Sequence, residues 1–227
     1  MNPPTLAAVG ARRNLREEIT QTLRAAVISG ELRPGVVYSA PSLASQFGVS
    51  ATPVREAMLD LAKEGLIDVV RNKGFRVTEL SEKDLDELCE LRALIEVPTV
   101  RRIAETGIPP KIADRLRSLG EGIEQAAIDR DLIKHVGLDL EFHLTLLGLA
   151  GNTHLVETVR TLRSQSRLYG LRFLAERDAL VPSSREHVEL VDLIVAGETE
   201  SAERLMHRHI RHVRGIWADG SPAHIPQ

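Results

Sequence analysis

The stretch from Pro41 to Glu64, PSLASQFGVSATPVREAMLDLAKE, constrains this chain more than any other, because its apolar spacing and breakers fit two short helices joined by a tight turn. Leu43, Ala44 and Phe47 give the first helix an apolar face, and Gly48 supplies the turn. Ser50 is placed to cap the second helix with its hydroxyl. From there Val54, Met58, Leu61 and Ala62 share one face. Ser50, Thr52, Arg55 and the helix N-terminus are left outward, where a DNA backbone or base edge fits.

The neighbouring residues extend this pair into a winged helix-turn-helix. Leu66 to Val70 and Phe75 to Val77 are short β-rich runs, joined by the turn Arg71-Asn72-Lys73-Gly74 with two cations at its tip. Upstream, Leu15, Ile19, Leu23, Ala26 and Val27 form a helical stripe that ends at Gly30 and Pro34-Gly35. Residues 12–78 are thus expected to form one DNA-binding domain. Charge agrees: Arg12 to Thr78 holds ten Lys or Arg against seven Asp or Glu, whereas the rest of the chain holds nineteen against twenty-five. A basic head on an acidic body suits approach to phosphates by one end only.

LRAAVISGELRPG, LASQFGVSATPVREAMLDLAKEGLIDVV and RNKGFRV together resemble the DNA-binding half of GntR-type transcription regulators. In that family the turn serine, the arginine of the PVREA segment and the wing glycine contact or approach the operator, which the resemblance maps onto Ser50, Arg55 and Gly74. Thr52 at the helix start and Arg71 and Lys73 at the hairpin tip complete the expected interface. Ala51 departs from the arginine that members commonly carry after the turn serine. A guanidinium contact worth roughly 1–3 kcal/mol of base discrimination is therefore missing, and no operator sequence carries over.

Residues 81–217 read differently, as six helices in an antiparallel bundle, which makes the whole chain mostly α. With 43% hydrophobic but only 3% aromatic residues, the core is expected from Leu, Ile, Val and Ala. Ser81 and Asp84 suggest a capping box opening a helix with Leu85, Leu88, Leu91, Leu94 and Ile95 inward; Ser183 and Glu186 suggest another. No apolar run spans a membrane, no secretory signal is evident, and the single Cys89 fits a reducing compartment, so the expected location is the cytoplasm.

Within this half, Asp139 and His143 are four apart on one helix, and His187 and His209 lie on later helices among apolar neighbours. Three imidazoles and a carboxylate suit a divalent ion, zinc first, with nickel, manganese or iron compatible. Spacing alone leaves the set open, because Asp131, His135, His207 and His212 compete with it. DLEFH followed by LAGN, then SSREHVELVDLIVAGETESA and a later histidine, resemble the FCD effector domain of the FadR subfamily of GntR regulators. The resemblance implies Asp139, His143, His187 and His209 as metal ligands. It also implies Arg92 and Asn152 near a ligand carboxylate, although Arg92 also has Glu96 one turn away as a salt-bridge partner. Arg163 and Arg167 are further effector candidates whose alternative is a solvent-facing stripe.

The expectation is a homodimeric transcription regulator, a repressor, that binds an inverted-repeat operator and responds to a small carboxylate in a metal-bearing pocket. A regulator sensing the ion itself, or a metal-dependent hydrolase, would use similar residues. Against an enzyme, the chain has no Gly-x-Ser-x-Gly elbow, Walker loop or His-Glu-x-x-His.

Overall fold

A computed structural model describes the backbone of residues 11–176 and 179–212, and their side chains except at 11–14, 29 and 167–176. The Arg167 side chain and the stretch 213–217 expected to complete the last helix lie outside what is described. The chain divides into two compact units, Met1–Glu79 and Leu80–Gln227.

In the first unit, α1 (Ala11–Ser29), α2 (Ala40–Phe47) and α3 (Ala51–Lys63) surround a core of Ile19, Leu23, Val27, Leu43, Ala44, Val54, Met58 and Leu61. Leu15, expected on the inner stripe, is 40% exposed. Salt bridges from Arg16 to Asp60 and from Arg24 to Glu64 tie α1 to the last turns of α3. A three-stranded antiparallel sheet follows the order β1 (Val37–Tyr38), β3 (Gly74–Val77), β2 (Ile67–Val70). β1 was not expected, since two residues carry no alternation to read. It explains Gly74: the φ there is +132°, and a Cβ would stand 2.3 Å from the Tyr38 carbonyl oxygen. Only glycine lets β3 approach β1 that closely.

Ser39 caps α2 by accepting the Ser42 N–H at 3.2 Å. Ser50 occupies the N-cap of α3 in extended backbone, but its hydroxyl makes no cap hydrogen bond, contrary to expectation. It stays exposed beside the unsatisfied N–H groups of the first turn.

The second unit contains α4 (Glu82–Thr106), α5 (Pro110–Ile128), α6 (Leu132–Gly148), α7 (Thr153–Glu176), α8 (Leu180–Val195) and α9 (Thr199–His212). α5 packs on α6 and α8, while α4 packs on α7 and α9. Among the described residues no helix is long and apolar enough to cross a membrane. The Ser81–Asp84 capping box forms in both directions. The proposed box at Ser183 does not: α8 already begins at Leu180, and the Ser183 N–H donates to the Ala179 carbonyl at 3.2 Å. Pro182 is tolerated because the first helical turn has no N–H to lose.

The buried stripe of α4 also corrects the reading. It runs Leu85, Cys89, Arg92, Glu96, Val97, Val100 and Ile103, while Leu91 is 47% and Leu94 67% exposed. Charged residues hold inward positions that apolar periodicity would assign to leucine. On the far side of the core, Gly120 brings α5 against α8; a Cβ there would be 2.9 Å from the Val188 side chain and 3.3 Å from the His187 Cβ.

Candidate metal centre and DNA-reading face

Asp139 and His143 project from successive turns of α6 into the bundle, where His187 of α8 and His209 of α9 meet them. All four are buried, and one ligand atom from each lies within 4.8 Å of the others. Phe142 packs edge-on against the His143 and His187 rings, at centroid distances of 5.1 and 4.8 Å, and restricts their rotation.

Hydrogen bonds set the outer nitrogens. His187 Nδ1 sits 2.8 Å from the Ser184 carbonyl, which can only accept, so Nδ1 carries the proton. In the neutral ring the Nε2 lone pair then faces Asp139 Oδ1 at 2.9 Å and His143 Nε2 at 3.2 Å. His209 Nδ1 lies 3.0 Å from a Glu186 carboxylate oxygen, leaving Nε2 as its free ligand atom. Burial drives the His143 pKa well below its ordinary value, with the Arg163 charge adding to it. Burial likewise lowers His209 to about 3, although the Glu186 hydrogen bond pulls the other way. Lone pairs presented by these rings toward the Asp139 carboxylate would repel it, and a cation among them would relieve that repulsion. Three nitrogens and one oxygen fit a borderline divalent ion of the zinc class.

Behind Asp139 runs a buried ionic chain. Asp139 Oδ2 accepts from Arg163 Nη1 at 3.3 Å, and Arg163 Nε donates to Glu96 Oε2 at 3.0 Å. The other Glu96 oxygen accepts from Arg92 Nε at 2.7 Å, and Arg92 Nη1 donates to Ser166 at 3.2 Å. Burial alone would raise the Glu96 pKa; the charges of Arg163 and then Arg92 override it and hold the carboxyl below its ordinary value. Arg92, Glu96, Arg163 and Asp139 are all fully buried. Arg92 Nη2 has no hydrogen-bond partner among the described residues. The Glu96 salt bridge weighed for Arg92 therefore forms without using all its donors.

Asn152 is not brought into this cluster. It is exposed, and its side-chain oxygen accepts the Leu155 N–H at 3.1 Å at the start of α7. Of the competing residues Asp131, His135 and His207 separate, whereas His212 stays close: its Nδ1 is 3.2 Å from the Glu186 carboxylate, and Glu186, His209 and His212 form a second group with metal-ligand spacing. Asp131 caps α6 through Lys134 N, His135 bonds Ser184 at 3.0 Å, and His207 is exposed. Glu186 and Ser184 escaped the sequence reading as contributors. Glu186 was assigned to a cap, and a carbonyl or hydroxyl contact leaves no spacing signature.

In the first unit, Ser50, Thr52, Arg55, Arg71 and Lys73 are exposed, with Gly74 half-buried at the base of the wing. Arg16, Arg24 and Lys63 are paired with acids. Arg55, Arg71 and Lys73 make no ion pair among the described residues, as cations kept for an external anion would.

The family model of the FCD domain matches residues 87–212, and that of bacterial regulatory proteins of the gntR family matches 15–77. The chain belongs to the GntR family. A relative from Streptomyces ambofaciens, an HTH-type transcriptional regulator in an unstable DNA locus, is 30% identical over 92% of this chain and 86% of its own. The Nta operon transcriptional regulator of Aminobacter aminovorans is 31% identical over 81% and 85%. Among solved structures, McbR/YncC of E. coli shares the fold with a TM-score of 0.68 at 24% identity, covering 90% of this chain and 95% of that one. This GntR-family chain is a transcription regulator rather than an enzyme, with a winged DNA-binding unit and a helical FCD unit.

Proposed function

We propose that this regulator is a repressor that senses a small organic acid bound beside a divalent metal ion. The observation that carries the reading is the charge arrangement of the buried cluster. Arg92 and Arg163 are balanced by Glu96 and Asp139, and burial favours the neutral forms of His143 and His209. A divalent ion held by Asp139, His143, His187 and His209 would leave an excess of two positive charges in a buried site, which an anionic ligand offsets. Arg92 Nη2 supplies a donor for its carboxylate. When bound, the ion supplies Lewis acidity and an electrostatic anchor for that anion. This chain's residues orient the site: Arg163 holds Asp139, and Ser184 and Glu186 set the histidine tautomers.

The DNA-bound form is a homodimer on an inverted repeat, placing α3 in the major groove. Ser50, Thr52 and Arg55 sit at the α3 start, and Arg71, Lys73 and Gly74 at the wing. A bacterial regulator of this kind works in the cytoplasm, where its operator lies. Support for a symmetric partner comes from a groove of about 530 Å³ between α4 and α9. Cys89, Ala93, Leu94, Val97 and Ile210 floor it, Asp86 and Glu90 stand on one helix, and His207 and Arg211 on the other. A two-fold axis sets the acidic edge of one copy against the basic edge of the next.

The test uses a duplex selected by this protein from a random library. Operator affinity is measured for metal-loaded and chelator-treated protein, each with and without a series of mono- and dicarboxylates. Response to an acid only in the loaded protein supports the proposal. Response to metal with no effect of any acid transfers the signal to the ion.

A further inference from the structure

We propose that Glu186 is the positioning residue of the metal centre: its carboxylate holds His209 as the Nδ1–H tautomer and aims the Nε2 lone pair at Asp139, His143 and His187. The proposal rests on the metal reading given above. It begins from adjacency. Glu186 and His187 are consecutive on α8, so their side chains leave the helix about 100° apart. His187 turns toward Asp139 and His143, while Glu186 turns toward α9.

Glu186 is only 8% exposed, so each of its oxygens needs partners. One oxygen accepts from Arg208 Nε at 2.9 Å. The other accepts from His209 Nδ1 at 3.0 Å, and His212 Nδ1 lies 3.2 Å from it. A carboxylate cannot donate to a ring nitrogen, so the His209 proton must sit on Nδ1. Without that anchor the ring is free to carry its proton on Nε2, which blocks coordination.

One turn of α8 therefore does three things. His187 is a ligand, the Ser184 carbonyl fixes the His187 tautomer, and Glu186 fixes the ligand on the neighbouring helix. The two anchors differ in strength. A carbonyl is neutral, whereas a carboxylate hydrogen bond makes the attached imidazole a better electron donor to a metal. His209 is then the ligand most dependent on its outer partner. It is also the one that lies on α9, near the last described turn of the bundle.

The rival account is that Glu186 merely pairs with Arg208, which is half exposed. Zinc affinity of the full-length protein, read by competition with a chromophoric chelator, separates the two. Glu186→Ala should weaken zinc about 10–100-fold, the range for lost outer partners of metal ligands. Glu186→Gln keeps an acceptor for the Nδ1–H but loses the charge, so it should fall between parent and Glu186→Ala; it also carries the test if the alanine variant fails to fold. Arg208→Ala should bind zinc like the parent. The visible absorption of the cobalt-loaded protein should shift in both Glu186 variants and stay fixed in Arg208→Ala. Parental zinc affinity and an unchanged cobalt spectrum in the Glu186 variants overturn the proposal while leaving the metal centre standing, as does an equal loss in Arg208→Ala. Absence of zinc binding by the parent overturns both.

Discussion

Arg55 and Lys73 are both exposed cations without an ion-pair partner among the described residues, yet in the proposed DNA complex their positions would give them different work. Lys73 sits at the wing tip, where a flexible ammonium would meet a phosphate and carry no sequence information. Arg55 lies in the first turns of α3, where a planar fork can span a base edge. Lys73→Ala should weaken binding to selected and scrambled duplexes alike and flatten the slope of log affinity against log salt by about one. Arg55→Ala should narrow the gap between the two duplexes by about 1–3 kcal/mol. Fluorescence anisotropy across a salt series reads both quantities, and variants that alter slope and discrimination identically would erase the distinction. The chemistry of these side chains was legible in the sequence, because a turn glycine, a helix start and a hairpin tip each declare themselves in a few adjacent residues. Glu186 was not, since its partners, His209 and Arg208, are more than twenty positions away, on another helix.

Between elements, the seam joining α1 to α3 carries a pH dependence. Asp60 is held below its ordinary value by the Arg16 hydrogen bond, which outweighs the opposing effect of partial burial, with Lys63 adding to it. Its folded pKa is thus lower than the 3.8 of the unfolded chain, so the stability it confers is present above that value and lost as pH falls through the folded pKa. Parent and Asp60→Asn should differ most in melting temperature near about pH 6 and converge toward about pH 3; an equal gap at both contradicts the pairing. The effect is small, because the side chains of Arg16 and Asp60 remain 41% and 25% exposed and solvent screens the pair. α4 makes a second prediction. Leu94 is 67% exposed on the groove facing α9, so Leu94→Glu should leave the fold intact and shift sedimentation from dimer to monomer. An unchanged sedimentation coefficient would remove this face from the dimer. The same helix shows why periodicity misled: Arg92 and Glu96 pair inside the bundle, so a charged pair occupies the stripe and two leucines face out. Helix number and the wing survived this because breakers and caps mark them independently of which face is buried.

At the scale of the molecule, the proposed ion and acid would belong to one electrostatic unit. Asp139 uses one oxygen toward the histidines and the other toward Arg163, which shares Glu96 with Arg92. A cation among the ligands and an anion at Arg92 would therefore each relieve the field that the other creates. Linkage makes this reciprocal: whatever factor the metal gives to acid affinity, the acid must give to metal affinity. Zinc affinity, measured by chelator competition, should rise about 5–150-fold when the effective acid is saturating, and acid affinity should rise by the same factor on zinc loading. Glu96→Gln removes the shared carboxylate and leaves Arg92 and Arg163 without its charge, so it should change that factor even though Glu96 is not among the metal ligands. Equal zinc affinity with and without acid would mean that the two bind independently. The buried chain from Arg92 to Asp139 would then be scaffolding, and the signal would have to reach the operator by a route that does not pass through the ion.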